Sequence, residues 1–177
     1  MNEYAMQLKD VTSSFADKNV LFVSPTVDLI VSANGSITAE YVAKGPWGIQ
    51  QTIEKLPFLL PSLSVQAILT EDDWMAFLDS DGEEGSAEAR RAYISVNPND
   101  FSKPVAALSN ELRITECFKI YQVAFGDNQL NLVLSRASNC FLTVRPDLNM
   151  DSEGRMYPIT ATSFEPDNHS LFAILSL

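Results

Sequence analysis

From residue 112 onward the chain is a succession of extended apolar runs cut by turn residues, and this constrains its fold more than any other feature of the sequence. The runs are residues 112–125, 129–135, 140–145, 156–164 and 171–177. Gly126-Asp127-Asn128 and Pro166-Asp167-Asn168-His169-Ser170 are the tightest connections between them. Leu130, Leu132 and Leu134 alternate with Asn131, Val133 and Ser135, the period of two that one buried sheet face requires. The stretch 112–177 therefore predicts an antiparallel β-meander forming a curved sheet.

Residues 1–111 read differently. Tyr4, Leu8, Val11 and Phe15 recur at spacings of four, three and four, which predicts an N-terminal amphipathic helix over residues 2–16. Extended runs at 20–24 and 27–32 follow, and Asn34-Gly35 between β-branched segments signals a hairpin into 37–43. Pro46, Ile49, Ile53 and Leu56 predict a short helix that Pro57 stops. After a strand at 63–69, Thr70 with Asp73 three residues on resembles a capping box, opening a helix with Trp74, Phe77 and Leu78 on one face. Ser86 caps a further short helix through Ala92, Tyr93 begins a strand, and residues 104–108 form a helical turn. The expectation is one α+β domain over 1–177, helix-rich in 1–111, with the meander of 112–177 packed on helix.

Length makes a self-sufficient core reasonable, since a chain of about 150 residues buries close to 70% of its unfolded surface. Charge restricts partners. With 12 Lys+Arg against 23 Asp+Glu the formal charge is −11, which disfavours phosphate backbones and anionic lipid and favours encounter with basic proteins. Residues 1–4 lack a basic, then apolar, leader and no run reaches 18 apolar residues, so the expected compartment is the cytoplasm. There, Cys117 and Cys140 are expected as free, buried thiols.

The chemistry available to the chain is narrow. Its one histidine, His169, lies in a turn, so no two-His metal site can form and a Ser/His or Cys/His pair has a single candidate base. Neither phosphate-binding glycine motif occurs. Asp147, Asn149, Asp151 and Glu153 alternate as at the start of a Ca²⁺ loop, yet Ser152 stands where that loop needs Gly and Pro158 where it needs Glu. Asp79-Ser80-Asp81 could hold a divalent cation beside a nucleotide, but nothing else marks a nucleotide pocket. No catalytic residue, metal or cofactor is assigned.

The remaining feature is the run 71–88, with eight acids in 18 residues and no base between them against 23 acids in the whole chain. Such a run is commonly a solvated face. As a docking surface for a basic protein it would use Glu71, Asp72, Asp73, Asp79, Asp81, Glu83 and Glu84 with Trp74 as an aromatic anchor. The sequence thus favours a non-enzymatic acidic binding module: an inhibitor, immunity protein, escort chaperone or adaptor. One alternative is a small-molecule binder or enzyme with a pocket between curved sheet and helix, using Tyr121, Arg136, Arg145 or Tyr157. Another is a subunit of a phage or secretion-type assembly. The sequence sets no oligomeric state.

Overall fold

The computed structural model describes residues 8–24, 29–31, 36–38, 65–81, 90–125, 128–148 and 156–176. Among them there are thirteen strands, paired antiparallel throughout, and three isolated 3₁₀ turns. The strands are β1 (Lys9–Asp10), β2 (Asn19–Ser24), β3 (Leu29–Val31), β4 (Ser36–Thr38), β5 (Val65–Leu69), β6 (Met75–Asp81) and β7 (Arg90–Ser95), then β8 (Ala106–Ser109), β9 (Phe118–Phe125), β10 (Asn128–Ser135), β11 (Phe141–Val144), β12 (Met156–Ser163) and β13 (Ala173–Ser176).

The pairings close on themselves. Strands run in the order β9-β10-β11-β12-β4-β3-β2-β5-β6, and Met75 pairs with Phe118 to return from β6 to β9. β7 and β8 extend the sheet beyond β6. β13 crosses the circuit, pairing with β2 along Ala173–Ser176, while Phe172 just before it exchanges both backbone bonds with Asn131 of β10 at 2.7 and 2.9 Å. A six-strand ring results: β2-β5-β6-β9-β10-β13.

Its interior is aromatic. The Phe77 ring meets Phe22 edge-on at 5.1 Å and Phe118 at 5.6 Å, and Phe22 meets Phe172 at 6.5 Å. Four points of the ring thereby share one contact chain, in geometries that the aromatic quadrupole favours. Because β2 and β10 border a second circuit through β11, β12, β4 and β3, they are covered on both faces. This explains the unbroken buried run Val20–Val23. It also explains why Asn131 and Ser135 are buried alongside Leu130 and Leu132, where alternation predicts one wet face. Asn131 meets part of the cost by donating from Nδ2 to the Phe172 carbonyl at 3.3 Å, while its Oδ1 has no hydrogen-bond partner among the described residues.

The α+β expectation is overturned: the described chain is mostly antiparallel sheet and contains no α-helix. The helix expected over 2–16 becomes β1 followed by a 3₁₀ turn at Thr12–Phe15, with residues 1–7 outside the described set. Leu8, Val11 and Phe15 do pack on the core, so their spacing reported burial but not conformation. Local polar bonds decide the conformation. Asp10 Oδ1 accepts the Thr12 N–H at 2.9 Å, and Thr12 Oγ1 accepts the Ile120 N–H at 2.9 Å, tying the segment to β9.

The helix expected after Thr70 is strand β6, and the helical turn expected at 104–108 contributes to strand β8. Nor is there a helix for the sheet to pack on among the described residues. The short helices expected at 46–56 and 86–92 fall on residues that lie outside the described set, apart from Arg90–Ala92, which are strand β7. The expectation of sheet holds at 20–24, 65–69, 118–125, 129–135, 141–144, 156–163 and 173–176, but residues 112–117, expected to be extended, carry a 3₁₀ turn at Ile114–Glu116, and the last strand leaves the meander to pair with β2. β3 and β4 pair antiparallel as the expected hairpin, Val31 opposite Ile37, and the turn residues 32–35 lie outside the described set.

Candidate functional site

The tip joining β5 to β6 carries the first of two polar constellations. Leu69 pairs with Met75, so five residues make the connection. Within it the Thr70 N–H donates to the Trp74 carbonyl at 2.7 Å, the Asp73 N–H to the Thr70 carbonyl at 3.1 Å, and the Trp74 N–H to Thr70 Oγ1 at 3.0 Å. Asp73 takes φ 65°, a left-handed conformation that Asp tolerates better than most residues. Thr70 therefore does satisfy a backbone N–H, but it closes a hairpin.

Trp74 is half-buried at this tip, and the Met75–Phe118 pair brings β9 beside it. Lys119 Nζ lies 4.9 Å from the Trp74 ring centre and Arg136 Cζ 5.0 Å from it. Both distances are within cation–π range. Arg136 follows β10, and its N–H donates to the Cys117 carbonyl at 3.0 Å, which fixes its base against β9. Its Nη1 reaches Asp72 Oδ2 at 2.7 Å. The Thr70 hydroxyl, which donates to Asp72 Oδ1 at 2.7 Å, and then Arg136 hold the Asp72 carboxyl below its ordinary range, and Asp72 in turn raises Arg136. Lys119 also pairs with Asp10 at 3.8 Å.

The acidic run is thus dispersed. Glu71, Asp72 and Asp73 are exposed at the tip, with Asp72 matched by Arg136. Asp79 is half-buried and stands opposite Ala92, and Asp81 ends β6 opposite Arg90. Seven residues at about 3.3 Å each put this end of β6 roughly 20 Å from the tip. Glu83 and Glu84 lie outside the described residues. Sequence reasoning paired Trp74 with the acids and missed its two cations, which arrive from β9 and from the end of β10.

The second constellation is a cleft of about 400 Å³ lined by Thr143, Val144, Arg145, Pro146, Asp147, Thr162, Ser163, Asp167 and His169. β11 and β12 pair with a register shift between Phe141 and Thr143, and the chain beyond each strand supplies the charged groups. Arg145 donates from Nε and Nη2 to the two oxygens of Asp147, at 3.0 and 2.8 Å. This holds the Asp147 carboxyl low and raises Arg145. Asp167 Oδ1 accepts the His169 main-chain N–H at 2.9 Å and caps the 3₁₀ turn Asn168–Ser170. His169 Nδ1 is buried and has no hydrogen-bond partner among the described residues.

The hydroxyls bonded to carboxylates in the two constellations, Thr70 to Asp72 and Ser170 to Asp167, lie within tight turns and fix those turns. Asp167 serves the His169 backbone, so it does not orient the imidazole as a catalytic triad would require. Cys117 is buried, donates to the Arg113 carbonyl at 3.2 Å, and its thiol is pushed up by burial, the opposite of activation. Cys140 is half-buried, and both thiols are free. Tyr121 is raised by burial and then by Asp10. Among the described residues no three His, Cys, Asp or Glu side chains gather as a metal site, and no helix is long and apolar enough to cross a membrane. No protein-family model matches the chain, and no curated protein matches it.

Proposed function

We propose that the protein is a non-catalytic acidic binding module whose β5–β6 tip receives basic side chains of a protein partner. The observation that carries this reading is the arrangement at Trp74, where an indole takes two cations at about 5 Å and the adjacent Asp72 grips one of them at 2.7 Å. Acid and aromatic side chains together bind guanidinium here, and because the chain's own Arg136 and Lys119 already occupy Trp74 and Asp72, the groups left for a partner are Glu71 and Asp73. Glu71 and Asp73 remain exposed beside it, and the net charge of −11 speeds encounter with a basic surface.

A nona-arginine peptide is the probe. Binding measured by calorimetry should weaken several-fold in an E71Q/D73N variant, which keeps the tip geometry because Asn also tolerates φ near 65°. Binding that falls with salt but is equal in wild type and variant would make the attraction a property of net charge, and the tip would lose its role.

A second reading, as a subunit of a larger assembly, draws on the other end of the sheet. Among the described residues β8 pairs with β7 alone, and Leu108 on it is 80% exposed, with Leu112 and Ile114 exposed in the segment that follows. An open edge carrying apolar side chains is a surface that neighbouring chains cover. Sedimentation that stays monomeric from micromolar to millimolar concentration would remove this reading.

A further inference from the structure

We infer that the cleft between the ends of β11 and β12 is a binding site for a neutral polyhydroxyl ligand, one or two sugar rings in size, held by Arg145, Asp147, Asp167 and His169. The site is separate from the hairpin tip, and the inference stands whether or not the tip binds a basic partner.

Elimination by chemistry leads there. An anion would meet two carboxylates, Asp147 and Asp167, with the Arg145 guanidinium already engaged by the first of them at 3.0 and 2.8 Å. A divalent cation needs more oxygen ligands than this, and Asp147 is committed to Arg145. An apolar ligand would meet carbon surface here, but it would leave His169 Nδ1 and the cleft's hydroxyl and carboxylate oxygens unpaired.

What remains suits a ligand that both donates and accepts and carries no charge. Arg145 holds Asp147 through Nε and Nη2, which leaves the Nη1 donors outside that fork. Asp167 makes its turn bonds through Oδ1, which leaves Oδ2 as an acceptor. His169 Nδ1, buried without a protein partner among the described residues, either donates or accepts according to tautomer. A buried imidazole nitrogen of this kind needs a partner. Thr143, Thr162 and Ser163 add hydroxyls, and Val144 with Pro146 offers an apolar surface for the C–H face of a sugar ring. At about 400 Å³ the cleft falls at the small end of ligand sites, roughly 300–1,000 Å³.

The test titrates ¹⁵N-labelled protein with lactose, maltose and cellobiose, following backbone amides and the His169 imidazole. The inference expects saturable shifts confined to Arg145, Asp147, Ser163 and His169 for at least one of these sugars, unchanged between 50 and 500 mM salt on the order expected for an uncharged ligand. R145Q and H169A should each weaken that binding at least about tenfold, the loss expected when a polar group of the site is left unpaired. Absence of saturable shifts up to 50 mM sugar would overturn the inference, on the order of the weakest affinities a site of this size would show. So would tighter, salt-sensitive shifts of the same resonances with inorganic phosphate, which would make it an anion site. Sugar binding undiminished in both variants would equally remove it.

Discussion

Ala76 separates the sheet seen here from the helix that the sequence suggests. On a helix opened by Thr70, with Trp74, Phe77 and Leu78 inward, Ala76 points to water, and enlarging it costs no more than a propensity difference of about 0.7 kcal/mol. In the structure it is fully buried and pairs with Ile68 of β5. Ala76→Val adds two methyl groups to a fully buried position, a change that costs about 1–3 kcal/mol through overpacking even though valine suits a strand. For a chain of this length each kcal/mol moves the melting temperature by about 2–4 °C, so the drop should be about 2–12 °C. Ala76→Glu adds an unpaired buried charge, about 3–5 kcal/mol more. Its total then approaches the whole stability of a typical domain, about 5–15 kcal/mol. Urea unfolding followed by tryptophan fluorescence and far-UV dichroism measures both. An A76V protein within about 0.5 kcal/mol of wild type, together with a folded A76E, would refute the buried-strand reasoning, because a solvent-facing alanine tolerates both changes.

Three further outcomes are expected. A thiol reagent at pH 8 should modify Cys140 in the native protein and Cys117 only after denaturation, because Cys117 is buried and its thiol is raised; two thiols reacting at equal rates would contradict this burial. Asp10, Asp72, Asp147 and Asp100, whose carboxylate accepts from the Ser102 hydroxyl and N–H, all sit below the ordinary carboxyl value of 3.8 in the folded chain, so their stabilisation is complete above that value and is lost as pH falls through the folded ones. The urea midpoint should therefore fall in acid, and D72N/D147N should flatten that fall; an unchanged acid limb would count against the Arg136 and Arg145 pairings. Removing the guanidinium with Arg136→Ala, in a W47F background so that Trp74 alone emits, should shift emission to the red and raise acrylamide quenching, since one face of the indole is uncovered. Identical emission in both proteins would show that Arg136 does not cover the ring in solution.

The meander was legible because its strands are separated by turn residues and Leu130, Leu132 and Leu134 keep a period of two. β6 was not legible. Met75, Ala76, Phe77 and Leu78 are all buried, and a strand covered on both faces is a continuous apolar run whose period cannot be told from that of a helix. Thr70 compounded the ambiguity, since a hydroxyl accepting a backbone N–H closes a hairpin as readily as it caps a helix. Trp74 and Asp72 stood out from sequence alone, whereas their partner Arg136 lies 64 residues away and is brought over them only by the β6–β9 pairing. The cleft was invisible for the same reason: Arg145 and His169 each drew notice singly, and only the pairing of β11 with β12 sets them around one space.

The crossing of β13 from β2 to β10 carries a consequence for the timing of synthesis. Val23 and Ala173 are partners about 150 residues apart, so one of the earliest strands is completed by the last. At about 5–20 residues per second, the ribosome needs roughly 8–30 s to make what lies between them. Through that interval the newborn chain holds Val20–Val23 with one backbone edge unclaimed, at a concentration and temperature where open edges find other chains. Yield in a cell should therefore respond to translation speed and to chaperone supply more than the stability of the finished protein would suggest.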